Sequence, residues 1–120
     1  MTAAQFRKLA LALPDATESA HMGHPDFRVG GKIFATLGYP EHYHAVVLLG
    51  PEEQRNFVAE APAAFAIVTG AWGRAGATQI DLKQAKRLMV DDALASAWER
   101  RAPKKLTAET KRSHHRPSPG

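Results

Sequence analysis

The chain has 120 residues, 44% hydrophobic and 23% charged, the proportions of one folded domain rather than of a disordered segment or two separate cores. It contains no cysteine, which excludes a disulfide framework, a thiolate metal site and a thiol nucleophile. Up to Arg101, 11 Lys and Arg balance 11 Asp and Glu, so the net charge of +4 lies wholly in residues 102–120 and the body is not a general polyanion binder.

A first helix is placed by Thr2-Ala3-Ala4-Gln5, which has capping-box spacing. Phe6, Leu9, Ala10 and Leu13 then share one helical face until Pro14 stops it. Residues 17–49 change to short β-like runs. Those at 27–29 and 32–37 flank Gly30-Gly31, which reads as a tight hairpin turn because glycine accepts positive φ. In a two-residue turn, Val29 opposes Lys32 and Arg28 opposes Ile33, which would put Lys32 on the face of Phe27, Val29 and Phe34. Gly38-Tyr39-Pro40-Glu41 is a second turn, and residues 44–49 are apolar enough for a central strand.

Pro51, followed by Glu52 and Glu53, opens a second helix that turns Phe57, Val58 and Ala61 inward and ends before Pro62. Strands at 66–68 and 78–80 flank a connection containing Gly70, Gly73 and Gly76. Asp81 is a suitable N-cap for a last helix over about 82–101, whose wide apolar arc suits packing across a sheet. Residues 102–120 lack periodicity and read as a disordered basic tail. The order is α-β(3)-α-β(2)-α, an α+β fold with one antiparallel sheet and helices packed against it.

The segment from His21 to Leu37, HMGHPDFRVGGKIFATL, resembles the signature of the MmcQ/YjbR family. Leu13-Pro14-Asp15-Ala16-Thr17-Glu18 resembles the family's leucine-proline-to-glutamate stretch, and residues 70–78 resemble its second glycine-tryptophan hairpin. The likeness covers roughly Thr2 to Lys105 and implies a secretion-chaperone-like α+β domain. It also implies double-stranded DNA as partner, gripped by two β-hairpin wings, Arg28 to Lys32 and Trp72 to Thr78. Carried over, the nucleic-acid-binding residues are Arg28, Gly30, Gly31, Lys32, Trp72 and Arg74. Three phosphate contacts, from Arg28, Lys32 and Arg74, would give weak binding with a log–log salt slope of about −3.

Each of these residues has a plainer role open to it. Arg28 and Lys32 can equally pair with Asp26 or Glu18 on the sheet surface. Trp72 can stack on a base or, in the favoured reading, pack onto the sheet near Trp98. Tyr39 and Tyr43 suit cross-strand packing or the wall of a small-molecule cleft. The pairs His21/His24 and His42/His44 lack both helical spacing and a cysteine partner, so no metal is expected. GxSxG, P-loop, GxGxxG and HExxH motifs are missing, and Asp91-Asp92 do not face each other on a helix. Glu18 near His21 or His24 is the nearest thing to an acid/base dyad. The expectation is a non-enzymatic protein without cofactor.

No apolar run approaches the ~20 residues that span a bilayer, and the N-terminal residues lack a signal-peptide layout, so a cytoplasmic protein with no membrane partner is expected. Two alternatives to DNA binding remain. One is a protein- or peptide-binding module with a chaperone-like fold. The other is a small-ligand domain with a pocket between sheet and last helix, bounded by Tyr43, Trp72 and Trp98.

Overall fold

A computed structural model of the chain describes residues 1–107, the His21 side chain excepted. Six strands form one antiparallel sheet: β1 (Thr17–His21), β2 (His24–Val29), β3 (Lys32–Leu37), β4 (His44–Leu48), β5 (Phe65–Ile67) and β6 (Ala77–Asp81), in the order β1-β2-β3-β4-β6-β5. The helices are α1 (Ala3–Leu11), α2 (Pro51–Glu60), a single turn α3 (Ala71–Arg74) and α4 (Arg87–Arg101). The expected α+β class is observed, with an extra edge strand and an extra helical turn. No helix among the described residues is long and apolar enough to cross a membrane.

Residues alternate along each strand, and the two faces of the sheet have separate fates. One face carries Phe27, Val29, Phe34, Ala35, Leu37, Ala45, Val47 and Ile80, which pack with Phe6 and Ala10 of α1, Val90, Leu94 and Trp98 of α4, and the half-buried Phe57 and Val58 of α2. Burying each large side chain of this cluster contributes about 1.5–3 kcal/mol. On the opposite face a smaller cluster of Val46, Leu48 and Ala77, with Ile33 and Val68 against it, contains no residue of α1, α2 or α4.

Local chemistry explains most element ends. Gln5 N–H donates to Thr2 Oγ1 at 3.1 Å and Thr2 N–H to Gln5 Oε1 at 2.8 Å, completing the capping box of α1. Gly30 and Gly31 both adopt positive φ, +58° and +78°, as a two-residue hairpin turn requires. The pairs Val29–Lys32 and Arg28–Ile33 follow, and then a bulge gives Phe27–Ala35. Phe34 is the extra residue, and it faces the helices together with Ala35.

Four departures from the sequence reading have physical causes. β1 is Thr-Glu-Ser-Ala-His, without a large apolar side chain, so no alternation marks it; backbone pairing with β2 makes it a strand, and its polarity suits a sheet edge. The expected N-cap Asp81 instead ends β6, paired with His44, and its carboxylate accepts the Lys83 N–H at 2.9 Å. A turn intervenes, and α4 begins at Arg87, five residues later than expected. The segment expected to be a second β-hairpin wing contains α3: Ala71–Arg74 are wound into a helical turn held by Arg74 N–H to Gly70 O and Ala75 N–H to Ala71 O, and Gly76 N–H closes it on Gly73 O. Finally, within the expected tail, residues 104–107 form a helical turn; Thr107 N–H reaches Pro103 O at 3.0 Å, and Leu106 packs against the main core. The remainder of that tail lies outside the described residues.

Candidate functional site

The uncovered face of the sheet holds a groove of about 460 Å³. Its floor comes from β2, β3 and β4, through His24, Asp26, Ile33, Thr36 and Leu48. Three turns supply the rim: Met22 between β1 and β2, Tyr39 between β3 and β4, and Trp72 on α3. All three rim residues are exposed, at 83%, 48% and 40%, unusual for side chains of this size gathered round one concavity.

Buried backbone contacts fix α3, and with it Trp72, at the end of the sheet. Gln54 of α2 is buried and its amide donates to Gly73 O, Ala77 O and Thr78 Oγ1, at 3.0, 3.1 and 3.2 Å. Gly73 lies so close to Val68 O that a Cβ would collide with it, which is why the turn carries glycine there.

Polar groups in and beside the groove are few. Arg28 Nε donates to Asp26 Oδ1 at 2.9 Å and Arg28 Nη2 to Asp26 Oδ2 at 3.1 Å. The Asp26 side chain is 1% exposed while that of Arg28 is 34% exposed, so the carboxylate is the floor and the guanidinium the surface of the pair. The hydrogen bond to Asp26 raises the Arg28 pKa above the usual arginine value, and the guanidinium stays charged through neutral and alkaline pH. His24 packs edge-on against Tyr39, ring centroids 5.9 Å apart. Thr36 Oγ1 is buried without a hydrogen-bond partner.

The residues singled out in the sequence do not assemble into one cationic surface. Arg28 is bound to Asp26, the plainer of its two readings. Lys32 is exposed but pairs with Val29 on the helix-covered side of the sheet, whereas Arg28 pairs with Ile33 on the open side. Gly30 at the tip of the first hairpin is not free: a Cβ there would sit 3.0 Å from Pro103 Cγ and Cδ. Gly31 has open space round it. Arg74 and Trp72 stand on α3, next to β6, with β3 and β4 between β6 and β2, a separation of about 14 Å across three strand spacings. Two free-standing wings with clustered cationic tips are therefore not what the chain forms.

Other expectations are corrected or relocated. Trp98 is buried in the main core, its Nε1–H donating to Pro14 O at 2.9 Å, so Trp72 does not pack near it. Tyr43 lies beneath Lys83 Nζ at 3.9 Å and does not line the groove. Tyr43, Trp72 and Trp98 thus bound no common pocket; of the two tyrosines, Tyr39 reaches the groove. The Glu18 carboxylate accepts from Arg7 Nε at 2.9 Å, and the His21 half of the expected dyad lies outside the described side chains. His44 Nδ1 accepts the Glu41 N–H at 3.2 Å, and no three His, Asp or Glu among the described residues gather as a metal site.

Met22, Asp26, Ile33, Thr36 and Leu48 were missed as site residues. One signal was present: His24, Asp26 and Arg28 alternate along β2 and must share a face, opposite Phe27 and Val29.

A similar solved structure is the crystal structure of Deinococcus radiodurans protein DR2400, which carries a DUF419 domain. It is 14% identical, with 93% of this chain and 86% of that one aligned at a TM-score of 0.72, a likeness of fold. No curated protein matches the chain. The YjbR family model matches residues 11–100, a span that takes in every groove residue and both glycine-rich segments, and the chain belongs to the YjbR family.

Proposed function

We propose that this YjbR domain is a binding protein rather than a catalyst, and that it takes a small molecule with an apolar body in the groove on the open face of its sheet. The observation that carries this reading is the rim of Met22, Tyr39 and Trp72 round a groove of about 460 Å³ whose exposed lining is mostly apolar, a volume in the range of small-ligand sites and too small for a partner helix. A binding role also suits the chemistry of the floor, where Arg28 engages both oxygens of the Asp26 carboxylate. Titration with 2-naphthalenemethanol, followed by amide and indole NMR shifts, tests the reading. Shifts should be confined to residues 22–26, 33–36, 48 and 72, and Trp72→Ala should weaken them at least severalfold. Shifts confined to the helix-covered face, or an unchanged response in Trp72→Ala, would refute it.

Weak duplex DNA binding is a second reading, favoured by one observation. Pro103 packs on Gly30, and Lys105 lines a hollow with Gly30, so that Lys32 and Lys105 flank the same hairpin tip. This relocates the cations from two wings to one hairpin and the C-terminal turn. Anisotropy of a labelled duplex should fall with salt and with Lys32→Ala/Lys105→Ala in the full chain. Equal binding by that variant would remove the reading.

A further inference from the structure

We infer that the groove selects amphipathic anions: a small molecule whose flat or branched apolar body lies between Trp72, Met22 and Tyr39 and whose single carboxylate is received by Arg28. This deepens the groove reading above and rests on it.

The inference comes from how the guanidinium is used. An arginine has five N–H donors in a rigid plane. Asp26 takes the side edge, one N–H from Nε and one from Nη2. The end edge keeps one N–H on each of Nη1 and Nη2, parallel and spaced for the two oxygens of a carboxylate. No other hydrogen bond of Arg28 is formed among the described residues, and its side chain is one-third exposed. Asp26 therefore acts as a positioning residue: it fixes the fork from beneath and removes the freedom that binding would otherwise have to restrict.

Arg28 is not itself a lining residue; its place along β2 sets the fork beside the groove. Arg28 lies on the same face as Asp26 and His24, two residues beyond Asp26, and its cross-strand partner is Ile33. Asp26 and Ile33 both line the groove. A ligand with its body over Ile33 and Leu48 thus has Arg28 within reach of one terminus.

Exposure decides the sign of the ligand. A cationic head would need Asp26, whose carboxylate is 1% exposed and already doubly bonded. An anionic head needs only the exposed edge of Arg28. The pair is neutral as a whole, so the attraction is directional hydrogen bonding from a charged donor rather than a broad field. It should be worth on the order of tenfold in affinity, or more, over an uncharged head.

The test compares three probes with one body: 2-naphthylacetate, 2-naphthylacetamide and 2-naphthylethylammonium, titrated into the full chain by NMR. The acetate should bind about tenfold or more tighter than the amide, with the ammonium weakest, and added salt should narrow the gap. Removing Arg28 alone strands Asp26, so the variant of choice is Asp26→Asn/Arg28→Gln, with Arg28→Lys as a second. In the double variant the preference for acetate should vanish while amide binding persists; in Arg28→Lys the preference should shrink, because a point charge cannot offer the fork. Amide binding equal to or tighter than acetate, or an acetate preference that survives the double variant, would overturn the inference and leave the groove reading standing. Binding by none of the three would overturn both.

Discussion

The same six short strands build two unlike surfaces. On the covered face, aromatic and branched side chains are sealed by three helices, and every position is decided by volume. On the open face, Ile33 and Trp72 are only partly covered, and a charged pair sits near them. A packed core tolerates neither a gap nor a stranded charge, whereas a binding surface keeps exposed apolar area that folding alone would have hidden. The difference between the faces separates what holds the domain together from what the domain offers to a ligand.

Substitutions on the two faces should reproduce that contrast. The largest effect is expected for Phe27→Ala, which empties a fully buried site on the covered face: about 3–5 kcal/mol of stability lost in chemical denaturation. A loss below about 1 kcal/mol would mean that the core is looser than its packing implies. Next comes the charged pair. Arg28→Gln leaves Asp26 buried with an amide where a guanidinium stood, and its melting temperature should fall below that of Asp26→Asn/Arg28→Gln, in which no charge is stranded. If the double variant melts lower than the single, Asp26 is not a stranded charge once Arg28 is gone. The smallest effect is expected for Met22→Ser at the groove rim, within about 0.5 kcal/mol of the parent, although naphthyl binding should weaken. Equal losses of stability at Phe27 and Met22 would erase the distinction between the faces.

The fold was legible where one local signal governed the outcome. Thr2 with Gln5, Gly30-Gly31, and Pro51 with two glutamates each specify an end or a turn by chemistry within four residues. Asp81 shows where such signals fail: its side chain suits a helix cap, but the ladder to His44 keeps it in β6 and sends the cap to a turn. At 70–76, glycine spacing suggested a hairpin, while the distant Gln54 amide and the close approach of Gly73 to Val68 settle a helical turn. The site was less legible still. Arg28 and Trp72 were singled out for a partner that needed them side by side and free, yet the sheet order separates them and Asp26 holds one. Strand alternation alone groups His24, Asp26 and Arg28, but which face the helices leave bare depends on contacts between elements far apart in the chain, such as α4 against β3.

Phe34 is one residue more than the hairpin needs. Because it and Ala35 both turn toward the helices, alternation resumes a step late, and Thr36 rather than Ala35 reaches the groove. Cutting out a single residue at that point would leave each later side chain on its present side of the ladder. Adding one anywhere in β3 would exchange the greasy and wet sides of the remaining stretch, carrying Thr36 into the interior and Leu37 out into water. Length variation among relatives should therefore run one way here, shorter by one before longer by one.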